Sequence, residues 1–383
     1  MLFIDRRFAT WKQPYGRARL RPPANRQGVV AITDFERVCD FQSLYEAHAS
    51  ARLGKQHKRD VIRFEMNLAE NICYLQRKLM DGSYVPGKYR QFYVFDPKVR
   101  LIHAPPYKDV VVQHSICDKA LAPLLENRLI YDNAACRRGK GTHFAMNRLT
   151  GFLRDHYKLH GARGYVLKCD FRKYFANIDH EVLKRKLKRV VCNTDVLRLL
   201  YSIIDSYENE PGKGLPLGNQ TSQWFALYYL DAFDRIVKER LRIRHYTRYM
   251  DDCIMLHESK AFLQDCLDDL QSFAFEDVGL TFNDKTQVFP VSNGVNYLGF
   301  HFYLTQSGKV IRKVRRGAKN RFKRSLSNMK KEYAAGMVEY PEIRQRVCSY
   351  LGHLKHGHTY HLRQKALGEL VLVRGSGGHR GGR

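Results

Sequence analysis

Tyr249-Met250-Asp251-Asp252 sets two adjacent carboxylates between two apolar, β-prone runs, Arg244-His245-Tyr246-Thr247-Arg248 before it and Cys253-Ile254-Met255-Leu256 after it. A tight turn between such runs places both acids at the tip of paired strands. Carboxylates crowded there repel unless a cation neutralises them, so the stretch reads as a metal-bearing hairpin. A Tyr-x-Asp-Asp string arises by chance in roughly one chain in twenty of this length, so the reading needs a third acid.

That acid ends Gly164-Tyr165-Val166-Leu167-Lys168-Cys169-Asp170, a strand-like apolar run followed by Phe171-Arg172-Lys173-Tyr174-Phe175. Alone, Asp170 reads as a strand-end turn or helix N-cap residue. Beside a two-acid hairpin it completes a set able to hold two divalent ions, as in-line displacement of pyrophosphate from a nucleotide requires.

With 383 residues and 44% hydrophobic content the chain can bury a large core in two or more subdomains. A formal net charge of +28 with 12% aromatics points to a polyanionic partner, nucleic acid first. A membrane partner is not expected: no basic amphipathic segment adjoins an apolar anchor, and no run is long enough to span a bilayer. Met1-Leu2-Phe3-Ile4-Asp5-Arg6-Arg7 lacks the apolar core of a signal peptide, which makes a cytoplasmic location the expectation. Nine scattered cysteines without a Cys-x-x-Cys pair indicate neither a disulfide framework nor a zinc ribbon. Cys169 and Cys253 flank the acids without a histidine base and read as small buried residues. His353, His356, His358 and His361 lack cysteine or acid partners at ligand spacing, so RNA contact or packing is expected of them.

Residues 1–34 read as an extended basic arm, with Arg17-Ala18-Arg19-Leu20-Arg21-Pro22-Pro23 at its centre. From about 34 to 82 the pattern is helical, Phe64, Leu68, Ile72, Leu75 and Leu79 recurring at steps of three and four. Alternation over 88–103 predicts a hairpin with Lys98 and Arg100 on one strand face. Helices follow over 107–126 and from a basic glycine-rich loop to about 156, the loop offering Arg137, Arg138 and Lys140 to phosphate. Further helices are expected over 179–188, 194–206, 224–241 and 259–275, and short strands over 279–286 and 295–302. This order suits an α+β fold in which a split β-α-β layer forms an antiparallel sheet backed by helices. Beyond 310 a helical segment carries Arg315, Arg316, Lys319, Arg321, Lys323 and Arg324, with Leu326 and Met329 as its apolar stripe. So many like charges repel unless phosphates neutralise them. Residues 366–383 read as a flexible basic tail.

Taken together, Asp170 with Phe175, Tyr249 to Asp252, and Asn296-Tyr297-Leu298-Gly299, in that order, resemble the reverse transcriptases. The resemblance runs from about 88 to 302, with a thumb-like segment to about 365. It implies a right-hand polymerase: fingers at 35–165, a palm with a ferredoxin-like antiparallel sheet at 166–302, a basic helical thumb at 303–365. It implies two Mg²⁺ held by Asp170, Phe171, Asp251 and Asp252, and a primer grip at Tyr297, Leu298 and Gly299. Lys98 and Arg100 match finger residues that hold the incoming triphosphate. Phe175 matches an aromatic gate that excludes a 2′-hydroxyl, with a core phenylalanine as the alternative. Lys285 resembles a lysine near the leaving pyrophosphate, with an exposed salt-bridge lysine as the alternative.

Where relatives usually carry glutamine before glycine, this chain has Leu217, in Leu217-Gly218-Asn219-Gln220-Thr221-Ser222-Gln223. An aliphatic residue followed by Gly218 and then Ser222-Gln223 is similar to the enzymes of diversity-generating retroelements and of related bacterial defence systems. Tyr107-Lys108-Asp109, Val112-Gln113-His114 and Gly139-Lys140-Gly141-Thr142-His143 resemble the same group. The implied function is synthesis of cDNA from dNTPs on a dedicated structured RNA by a bacterial or phage-encoded enzyme. A diversity-generating enzyme would copy a template repeat with errors at adenine, beside a small basic accessory protein. Antiphage defence with its own noncoding RNA is the alternative. A catalytically idle RNA-binding or splicing helper is the reading from a different class. No nuclease, RNase H or zinc-finger segment and no Asn-Ala-x-x-His string is present, so a complete mobile-intron protein is not expected.

Overall fold

A computed structural model describes residues 34–95 and 99–374. The basic arm up to residue 33, Lys98, and residues 375–383 lie outside them. The single helical pattern of 34–82 is four helices, α1 (Asp34–Cys39), α2 (Phe41–Ala51), α3 (Arg59–Met66) and α4 (Leu68–Met80). Asp40 makes one break by accepting the Ser43 N–H as an N-cap. Asn67, at φ −127°, makes another. Ile72, Leu75 and Leu79 bury one face of α4. The expected hairpin follows as β1 (Arg90–Val94) and β2 (Arg100–Ala104), and then α5 (Tyr107–Ile116), a π-turn, α6 (Ala122–Glu126) and α7 (Thr142–His160).

The central sheet comes next. β3 (Tyr165–Asp170) leads into α8 (Tyr174–Asn177), α9 (His180–Lys188), α10 (Thr194–Asp205), α11 (Gln220–Tyr229) and α12 (Asp231–Arg235). The 224–241 helix is thus interrupted at Leu230, whose φ −96° and ψ 16° end α11, and closes in a π-turn over Ile236–Arg240. β4 (His245–Tyr249), β5 (Asp252–His257), α13 (Lys260–Glu276) and β6 (Gln287–Pro290) complete the layer, in strand order β4-β5-β3-β6, every pairing antiparallel. Leu167, Cys169, Cys253 and Met255 face the main helical core, whereas Val166, Ile254 and Leu256 face a second core with Met146, Leu149 and Leu153 of α7. Burial on both faces explains why Val166-Leu167 and Cys253 to Leu256 read as continuous apolar stretches rather than alternating ones.

The strand expected over 279–286 is a turn. The Asn283 side chain accepts the Lys285 N–H at 2.8 Å, an Asx turn, and only Phe282 makes an isolated bridge, so pairing begins at Gln287. The stretch 295–302 is a hairpin, β7 (Val295–Tyr297) and β8 (Phe300–Leu304), joined by Leu298 at φ 45° and Gly299 at φ 90°. Two left-handed residues in succession are what a two-residue type I′ loop needs. β9 (Val310–Val314) pairs with β8, so the basic helix begins only at Arg316. The last layer, α14 (Arg316–Ala334), α15 (Tyr340–Leu354) and α16 (Tyr360–Gly368), has its own core of Phe322, Leu326, Met329, Ile343, Val347 and Leu354. The first residues of the expected tail pack on it: Lys330 donates to the Glu369 carbonyl, and Arg374 pairs with Glu339 at 2.6 Å. Among the described residues no helix is long and apolar enough to cross a membrane.

Candidate active site

The register of β3 and β5 sets Asp170 directly opposite Asp252. Both continue the face that carries Val166, Ile254 and Leu256, so the sheet changes from apolar to acidic at its end. Asp170 is fixed from the other side by the 283–286 turn. Asn283 donates its side-chain N–H to Asp170 Oδ2 at 2.6 Å and its backbone N–H to the Asp170 carbonyl at 2.8 Å, while Thr286 Oγ1 accepts the Asp170 N–H at 3.1 Å. Phe171 buries its ring against Phe233 and Phe282. Its bridge to Phe282 uses the Asp170 carbonyl and the Arg172 N–H, leaving the Phe171 carbonyl out of those bonds.

Met250 and Asp251 form a two-residue turn between paired Tyr249 and Asp252. Only Met250 has positive φ, 57°, the pattern of a II′ turn that ordinarily takes glycine there. A side chain held in such a conformation costs about 1–3 kcal/mol. Arg248 secures it. This arginine is fully buried, donates to the Met250 carbonyl at 2.9 Å and the Leu227 carbonyl at 2.9 Å, and grips Asp234 with two bonds of 2.7 and 2.6 Å. Tyr246 gives Asp234 a further hydrogen bond at 2.5 Å.

Burial first, and the facing Asp170 carboxyl second, push the Asp251 carboxyl up to about 6. Burial also lifts Asp252 to about 6, against the lowering effect of Lys168. Lys168 Nζ lies 3.0 Å from both Asp252 oxygens but meets hydrogen-bond geometry only with Oδ2, leaving Oδ1 buried without a bond. Facing acids and an orphaned carboxylate oxygen are donors that suit a divalent cation. Among the described residues no three His, Cys, Asp or Glu side chains stand close enough to ligate one ion as they are, and Lys168 and Asn283 each hold an acid in a competing contact.

Groups whose folded pKa is raised stabilise the fold fully below the unfolded carboxylate value of about 4 and lose that contribution as pH rises through about 6. In chelator, Asp251→Asn is therefore expected to raise the melting temperature by about 2 °C at pH 7 and to leave it near wild type at pH 4. Differential scanning fluorimetry at both pH values checks this, and an unchanged or lower value at pH 7 would count against it.

The remaining expected site residues divide into groups. Phe175 is half-buried beside Tyr174, and its carbonyl accepts the Leu215 N–H at 2.8 Å, which brings it next to the loop carrying Leu217 and Gly218. Leu217, Gly218 and Gln223 line a cavity of about 570 Å³ with Arg90, Phe92 and His103 of the β1–β2 hairpin, and Ser222 is buried behind them. Arg100 is exposed on that hairpin, and Lys285 is exposed on the turn that binds Asp170. Tyr297 is buried, while Leu298 and Gly299 form the hairpin turn under His353 of α15. Arg315, Arg316, Lys319, Arg321, Lys323 and Arg324 are all exposed.

Arg137 does not face outward. Its guanidinium donates to the Glu126 side chain and to the Glu126, Ile130 and Asn133 carbonyls, so it locks the 126–137 loop rather than presenting charge. Lys140 likewise reaches the Tyr131 carbonyl at 2.6 Å, and burial lowers it to about 8, whereas Arg138 is exposed. The four histidines are packing residues in part: His353 lies on Phe300, and His356 stacks on His143. All nine cysteines are free, Cys169 and Cys253 buried. Sequence reasoning missed Lys168, which donates to Asp252 and also to the Asn296 carbonyl of β7 at 2.7 Å. Its signal was the two-residue spacing from Asp170, which puts both on one strand face.

A family model described as reverse transcriptase (RNA-dependent DNA polymerase) matches residues 96–302. Protein YkfC of Escherichia coli (strain K12) is 22% identical over 276 residues, covering 61% of this chain and 72% of that protein. Among solved structures, telomerase from Candida albicans in complex with a fragment of telomeric RNA matches at TM-score 0.44 and 12% identity over 68% of this chain. Apo telomerase from Candida tropicalis matches at TM-score 0.45 and 14% identity over 62%. The chain spans 55% and 58% of those two telomerase chains. The family match takes in more than half of the chain and runs from between β1 and β2 through all three acids to β8, and the chain belongs to the reverse transcriptases, the RNA-dependent DNA polymerases.

Proposed function

We propose that this protein makes cDNA on a dedicated structured RNA, as the error-prone enzyme of a diversity-generating retroelement. The polymerase reading is carried by one observation: Asp170 stands opposite Asp252 with Asp251 in the adjoining turn. In this reading Asp170, Asp251 and Asp252, with the Phe171 carbonyl, hold two Mg²⁺. Bound there, the ions would lower the pKa of a primer 3′-hydroxyl and neutralise the triphosphate and its leaving group. The chain's own residues position the partners. Arg100 and Lys98 bind triphosphate, Phe175 lies under the sugar, Lys285 meets the leaving pyrophosphate, and Tyr297, Leu298 and Gly299 hold the primer end. Fingers occupy 35–165, palm 166–302 and thumb the helices from Arg316. The exposed thumb cations hold RNA by phosphate charge and A-form shape. Nucleotide incorporation on a primed RNA template tests the polymerase reading, and its absence would overturn it.

The diversity-generating role is supported by Leu217, an aliphatic side chain lining the cavity where relatives usually have an amide. Without that hydrogen-bonding group the wall constrains a base less strictly. Leu217→Gln is expected to reduce misincorporation opposite template adenine by about five- to tenfold, the scale of one regained hydrogen bond. An unchanged error spectrum would remove this support. In the neighbouring DNA, a near-identical repeat pair differing at adenines is the expected companion, whereas a noncoding RNA without a repeat would favour defence.

A further inference from the structure

Asn219 occupies the N-cap position of α11, where asparagine ordinarily accepts a backbone N–H of its own helix. It makes no such bond. Buried to 4% exposure, it donates its side-chain N–H to the Tyr89 hydroxyl at 3.2 Å. Tyr89 immediately precedes β1, so the helix that follows the Leu217-Gly218 loop is tied to the hairpin across the cavity.

The direction of every bond in this contact can be assigned. Ser206 Oγ donates to the Ile203 carbonyl at 2.7 Å, which leaves it to accept from the Tyr89 hydroxyl at 3.1 Å. Tyr89 has then spent its proton, and its oxygen accepts from Asn219. The relay Asn219, Tyr89, Ser206, Ile203 joins α11, the hairpin and the end of α10. The Tyr207 ring stands edge-on to Tyr89 at 5.6 Å. Tyr207 in turn contacts His103 of β2, so both hairpin strands are braced against the same point.

We propose that Tyr89 and Asn219 are specificity-determining positioning residues: through the Tyr89 hydroxyl they fix the spacing between the Leu217-Gly218 wall and the β1–β2 hairpin, and this spacing gauges the nascent base pair. The inference rests on the polymerase reading, in which that cavity receives the pair. Gly218, at φ 107°, is a joint about which the wall would turn once the anchor is lost. Without the hydroxyl, Asn219 is free to rotate back and cap its own helix, moving the wall with it.

The test uses the full chain on a primed RNA template and compares kcat/KM for the matched and a mismatched nucleotide. Tyr89→Phe, which keeps the ring and removes the hydroxyl, is expected to lower discrimination about fivefold, the worth of one net hydrogen bond. Asn219→Ala should lower it similarly, and the double variant should fall no further, because both act through one bond. The melting temperature of Tyr89→Phe should stay within about 2 °C of wild type. Discrimination within twofold of wild type in both single variants overturns the proposal, as does a proportionate loss of matched and mismatched incorporation, which marks a purely structural role. If Leu217→Gln changes the error spectrum while Tyr89→Phe does not, only this inference fails. If the wild-type chain incorporates nothing, the polymerase reading fails first.

Discussion

Asp251→Asn is expected to abolish cDNA synthesis, lowering incorporation by about three orders of magnitude or more, the scale of losing several kcal/mol of charge stabilisation at a metal site. RNA affinity should stay within about twofold, because phosphate contacts set it and the exposed cations of α14 stand on a separate layer with its own core. Primer extension and fluorescence anisotropy on the same preparation separate the two quantities. Retained synthesis would sink the assignment of Asp251 to the metal site. The same substitution removes a carboxyl that burial holds near 6, which is why it is expected to strengthen the metal-free fold at neutral pH while ending its chemistry. Opposite effects of one change on stability and on activity are the mark of a site kept for function at a cost to the fold. A structural acid would lose both together.

The strands that carry the acids were legible because local chemistry and global position agree. Val166, Leu167 and Cys169 of β3 and Cys253 to Leu256 of β5 cover both faces with apolar side chains since both faces are buried, and Lys168 and the acids fall where that cover ends. The 279–286 stretch misled because its turn is fixed by side-chain bonds to Asp170, more than a hundred residues away in sequence. In 295–302 the apolar residues continue through a chain reversal, and Gly299 was its only local sign. Arg137 resembles a phosphate ligand by its neighbours, yet three carbonyls and one carboxylate enclose it. Lys168 and Arg248 draw their meaning from Asp252, Asn296 and Asp234, partners that no spacing along the chain reveals. Pattern locates elements, and partners assign the work of individual polar residues.

Arg248→Met is expected to destabilise the protein by about 3–5 kcal/mol, because it leaves the Asp234 charge buried with no cation beside it. Tyr246 and a long 3.5 Å contact from Asn133 remain near Asp234, but neutral donors offset only part of that cost. Urea unfolding measures the loss, and a change below about 1 kcal/mol would show that the pair is not the anchor it looks to be. Arg248→Met with Asp234→Leu removes both charges, and replacing a buried ion pair by packed apolar groups is often neutral, so most of the stability should return. Activity should not return with it. The Arg248 bond to the Met250 carbonyl holds a non-glycine residue at positive φ, and no apolar side chain replaces that donor. A turn released from φ 57° carries Asp251 away from Asp170, so incorporation by the double variant should stay at least about tenfold below wild type, about 1.4 kcal/mol of barrier. Recovery of both stability and synthesis would mean that the turn keeps its shape without Arg248, and that the strain at Met250 is borne by the β4–β5 pairing alone.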